Sequence, residues 1–107
     1  MAIERETINT IEHITMICGQ VCLTKTLLLA MIIKNDEENS LHIAKQGKNA
    51  SRHLLSILNS LDDSFFQEAD GTKKLLIVSD ICISTFDEAI KMFKEQFPGS
   101  WVEYEKS

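Results

Sequence analysis

The chain has 107 residues and 12.1 kDa, with 16 acidic against 11 basic side chains, 44% hydrophobic and 25% charged residues. That is the size of one domain, taken as residues 1–107, and the composition excludes collagen, low-complexity, disulfide-scaffold and disordered classes. It singles out no reaction and no ligand.

Cys18, Cys22 and Cys82 make an odd number without disulfide-framework density, which points to a reducing, cytoplasmic setting. The N-terminal residues are mixed in charge, unlike an export signal. The longest uninterrupted apolar run, Leu27 to Ile33, is far shorter than the ~20 residues of a membrane span, and on that ground a membrane is excluded. Counted by halves, residues 1–53 hold six acids and six bases, whereas residues 54–107 hold ten acids and five bases and all seven aromatics. An aliphatic helical part packed against an aromatic-anchored, acidic part is the expected arrangement.

The first periodic stretch begins near Ile3 and carries Ile8, Ile11, Ile14 or Thr15, Cys18 and Val21 or Cys22 at helical spacing. Gly19 is a possible break. Leu23, Leu27, Leu28, Ala30 and Met31 then continue a helix apolar on more than one face, and Asn35 to Asn39 stops it. A second helix starts at Ser40, an N-cap residue type, and repeats Ile43, Gly47, Ala50, Leu54, Ile57 and Leu61 in alternating steps of four and three. Gly47 and Ala50 on that seam invite close approach of another helix, which offsets the cost of about 1 kcal/mol for a mid-helix glycine.

From Asp62 the pattern changes. Asp70-Gly71 suits a hairpin turn, and residues 73–83 alternate as a strand, with Leu75, Ile77, Ile81 and Ile83 on one side. Ser79, Asp80, Ser84 and Thr85 are poor helix-interior residues. Thr85 and Glu88 fit a capping box that opens a helix ended by Pro98-Gly99, and Trp101 to Tyr104 reads as a last strand. The expected fold is therefore α+β, two or three N-terminal helices packed on a C-terminal β-β-α-β unit, with an all-α helical bundle as the alternative.

No motif points to catalysis, and no cofactor or metal is expected. Cys18, Cys22 and His13 lack a four-ligand zinc pattern, and a disulfide between two cysteines four apart on one helix is geometrically poor. His42 and His53 are too far apart along a helix to share an ion. Residues 47–51 fail the phosphate-loop spacing. Lys45, Lys48 and Arg52 form a basic stripe too narrow for nucleic acid in a chain of net charge −5.

Surface contact is what remains. The expectation is a small acidic cytoplasmic protein-interaction module, not an enzyme, that regulates or inhibits a protein partner in the manner of an immunity protein, antitoxin or inhibitor. The partner is expected to be basic and to meet Asp62, Asp63, Phe65, Phe66, Glu68 and Asp70, where acids steer association and an aromatic anchors it. A self-associating helical scaffold is the alternative, and a small nucleic-acid-binding regulator the weaker one. A homodimer is expected through Leu27, Leu28 and Met31, because that stretch is apolar on more of its circumference than one small domain covers.

Overall fold

The computed structural model describes residues 5–67 and 70–107, of which 93% are helical and none is in a strand. Among the described residues five helices follow one another: α1 (Arg5–Ile33), α2 (Glu37–Ser60), the short α3 (Asp63–Gln67), α4 (Asp70–Gln96) and α5 (Pro98–Lys106). α1 packs along both α2 and α4, and α5 folds back against α2 and α4. Cross-contacts give the directions. Cys18 meets Ser79, Cys22 meets Cys82 and Asn35 meets Gln96, a constant offset of 60 or 61 positions, so α1 and α4 run parallel. α2 runs antiparallel to both, with His53 against His13 and Gly47 against Thr24. The result is a rod of 53 × 23 × 17 Å.

The α+β expectation is thereby overturned in favour of the all-α alternative. The Asp70-Gly71 hairpin is the first turn of α4, the strand over 73–83 is the middle of that helix, and Trp101 to Tyr104 lies in α5. Three features explain the difference. Thr72, Ser79, Phe86 and Phe93 recur every seven residues and are all buried, a helical seam that outweighs the local alternation. Ser79 Oγ donates to the Leu75 carbonyl at 2.8 Å and Thr85 Oγ1 to that of Cys82 at 3.1 Å, so these hydroxyls are accommodated along the helix. Thr85 is consequently no cap. Pro98 occupies the start of α5, where its missing N–H costs nothing.

Smaller corrections follow the same logic. Gly19 does not break α1. Asp36, not Ser40, caps α2: its side chain accepts from the Asn39 backbone N–H, and Ser40 is buried inside the helix. The tight α1–α2 turn places Asn35 in the left-handed region at φ 58°, a conformation asparagine tolerates better than most residues.

The buried line of α2 is Ser40, Ala44, Gly47, Ser51, Leu54 and Leu58; it shares Gly47 and Leu54 with the expected seam, whose Ile43, Ala50, Ile57 and Leu61 are half-buried at its flank. Four small residues head this line because large rings need the space. Phe86 and Phe93 are fully buried in the same core as α1 residues Ile14, Val21 and Leu28. A Cβ built at Gly47 would collide with the Phe86 ring and come within 3.0 Å of Thr24 Oγ1, so all three long helices converge there.

Candidate functional site

The acidic segment is described only in part. Asp62 sits in the turn after α2 and Asp63 opens α3, both exposed. Phe65 and Phe66 are half-buried with their rings edge to face at 5.2 Å, and Phe66 packs against the core. Glu68 and the Asp70 side chain lie outside the described residues. Beside this turn is a shallow depression of about 270 Å³ where Glu6 and Thr10 of α1 face Ser60, Asp62 and Phe65.

The self-association residues divide. Leu28 is completely buried in the core and offers nothing to a partner; Met31 is half-buried; Leu27 is 40% exposed. The outward face of α1 instead continues from Leu27 to Leu23, 60% exposed, and Met16, 55% exposed, with Gly19 between them in open space. These four recur every three or four residues and therefore share one side of the helix. Between Met16 and Ile33 the sole charged residue is Lys25, half-buried. Two positions from Leu23, it lies across the helix from this face. Ile77, Val78 and Ile81 form a second exposed apolar group on α4.

The seven-residue run Leu27 to Ile33 understates the apolar length of α1. α1 is long and apolar enough to cross a membrane by length and composition, and 28% of its most apolar window is buried within the bundle. The uninterrupted seven-residue run was too strict a measure, because glutamine, threonine and a single lysine interrupt α1 without making it polar overall.

Two clusters join residues far apart in sequence. On the α1–α4 seam, the Cys22 and Cys82 sulfurs are 3.1 Å apart, with Cys22 exposed and Cys82 buried. Burial pushes the Cys82 thiol up to about 12, helped by its hydrogen bond and charge interaction with Cys22 and by Cys18. Cys18 Sγ lies 3.3 Å from Ser79 Oγ. The Ser79 proton is engaged by the Leu75 carbonyl, so the Cys18 thiol donates to the serine oxygen. On the α1–α2 side, His13 and His53 bring their Nε2 atoms to 3.4 Å at the edge of an open groove of about 470 Å³. Both imidazoles are exposed, and among the described residues no group of three His, Cys, Asp or Glu side chains could hold a metal ion.

The basic stripe on α2 has an internal use. Lys45 pairs with Glu103 at 3.2 Å. Lys48 donates to the backbone oxygens of Tyr104 at 2.8 Å and Ser107 at 3.1 Å, and its ammonium sits 4.4 Å from the centre of the Tyr104 ring. Two of the three stripe cations thus fasten α5. The thiol and histidine pairs had no signature in the sequence, because each joins residues at least 40 positions apart. The Met16–Leu27 face was partly legible as excess apolar circumference. Scans against protein-family models, curated proteins and solved structures each found no match to this chain. The class defined by the fold alone is a parallel-antiparallel three-helix bundle with a short return helix.

Proposed function

We propose that this chain is a self-associating helical module whose second copy docks on the outward face of α1, at Met16, Gly19, Leu23 and Leu27. The observation that carries this reading is the exposure of that face without a charged residue on it. Charge argues for a second copy over a basic partner. The net charge of −5 resides in residues 54–107, whereas α1 carries Arg5 and Lys25 against Glu6 and Glu12. Copies meeting through this face bring no acidic side chains of α1 into the contact, while a basic protein finds no attraction on it. Gly19, with nothing within 4 Å, lets a helix backbone come close at the centre.

Against a lipid surface stands the opposite side of α1, which holds Ile14, Val21 and Leu28 fully buried. Spanning a bilayer would pull these from the core and expose Phe86 and Phe93 with them.

Sedimentation equilibrium at micromolar concentration tests the reading. A mass of two or more chains is expected, and Leu23→Glu should return it to 12.1 kDa with unchanged helix content. A wild-type monomer rejects self-association. A wild-type monomer that floats with uncharged phosphatidylcholine vesicles, and loses flotation in Leu23→Glu, assigns the face to lipid instead.

A further inference from the structure

We infer that Cys22 and Cys82 are a reversible disulfide site, closed by a peroxide or a small-molecule disulfide, that staples α1 to α4. The proposal stands apart from self-association, since both cysteines belong to one chain and Cys22 points along the α1–α4 seam rather than the Met16–Leu27 face.

Geometry carries it. The two sulfurs are 3.1 Å apart, closer than the ~3.5–4.0 Å at which even smaller carbon atoms pack, and about 1 Å from the ~2.05 Å of a formed bond. The same distance argues against a shared metal, because two thiolates on a tetrahedral zinc at about 2.3 Å stand about 3.8 Å apart. Exposure then divides the labour. Cys22 is accessible to an oxidant, whereas Cys82 is 5% exposed and therefore suited to the second, resolving step. Cys18, buried and bonded to Ser79, is occupied elsewhere.

With hydrogen peroxide, the Cys22 thiolate attacks one oxygen, the O–O bond breaks, and a sulfenic acid forms with hydroxide, which takes up the proton lost by the Cys22 thiol to give one water. Cys82 sulfur then attacks Cys22 sulfur, the S–O bond breaks, and the Cys82 proton leaves with the hydroxyl as a second water. With oxidised glutathione, the first step forms a mixed disulfide and releases one glutathione, and attack by Cys82 releases the other. Both sequences remove two electrons and two protons from the thiol pair. Burial favours the protonated form of the Cys82 thiol, so closure should accelerate as pH rises.

The test is oxidation of the purified protein with graded peroxide or a glutathione redox buffer, followed by intact mass and peptide mapping without reductant. The expected product is an intrachain Cys22–Cys82 crosslink, two hydrogens lighter, reversed by dithiothreitol and retained in Cys18→Ser. Its melting temperature should exceed that of the reduced form by on the order of 10 °C, as closing a long loop predicts. Cys22→Ser and Cys82→Ser should each abolish both mass loss and shift. Crosslinks between two chains through Cys22, a Cys18 partner in the map, or sulfinic acid at Cys22 with no crosslink would each overturn the assignment. Measuring the Leu23→Glu protein in parallel separates this outcome from any failure of self-association.

Discussion

The Phe86 ring of α4 rests on the bare backbone of Gly47 in α2, so close that a single added methyl has no room. Around this contact the small residues Ser40, Ala44 and Ser51 extend the same α2 line, and the buried Phe93 continues the α4 seam one heptad further on. The bundle is assembled by setting aromatic bulk against missing side chains. That complementarity identifies Gly47 as the point where a minimal substitution should cost most.

Gly47→Ala gains about 1 kcal/mol of helix propensity, and overpacking costs about 1–3 kcal/mol or more. With Phe86 itself fully buried, the ring has little freedom to yield, and the net expectation is a loss of about 1–2 kcal/mol in urea unfolding. Phe86→Leu in the same chain should recover part of that loss. Simple additivity in the double-mutant cycle would show that the two residues do not press on each other.

Leu27 and Leu28, adjacent in sequence, should separate association from folding. Leu28→Ala removes a fully buried side chain and should cost about 2–5 kcal/mol of stability. Leu27→Glu changes an exposed position and should leave the melting of the isolated chain nearly unaltered while lowering its sedimentation mass. Reversed behaviour of the pair would place the association face elsewhere.

Under reducing conditions the protein should lose stability in alkali through Cys82. Its thiol stays protonated up to about 12 in the fold against 9.0 for an unburied thiol. The unfolded chain therefore gives up its proton first, so the contribution is complete below pH 9 and disappears as pH rises from there through about 12. Tyr104, raised above 10.0 by burial and then by Asp87, acts in the same direction. Melting temperatures between pH 8 and 11, measured for wild type and Cys82→Ala, should show a shallower alkaline decline in the variant. Parallel curves would remove Cys82 as a source of the decline.

Lys48→Met should release α5 without unfolding the rod. It deletes both hydrogen bonds to the Tyr104 and Ser107 carbonyls and the cation over the Tyr104 ring, while keeping the apolar stem. Faster amide hydrogen exchange across residues 101–106, with α1 and α2 unchanged, is the expected result. Protection equal to wild type would mean that the aromatic contacts among Phe93, Trp101 and Tyr104 hold α5 by themselves.

The sequence by itself determined that α1 and α2 are helices, because their apolar residues repeat every three or four positions, and it marked Gly47 as a place of close approach. It also showed α1 to be more apolar than one core requires. Residues 73–83 were undecided locally, since Leu75, Ile77, Ile81 and Ile83 satisfy a strand's alternation while Thr72, Ser79 and Phe86 satisfy a heptad. Tertiary packing decided them as helix by burying the heptad line against α1 and α2. Only the assembled bundle could tell Leu28 from Leu27, or set Cys22 beside Cys82 and His13 beside His53. Those relationships depend on how far one helix has turned when it meets another, which the packing of all three long helices sets together, the Phe86–Gly47 fit among its contacts.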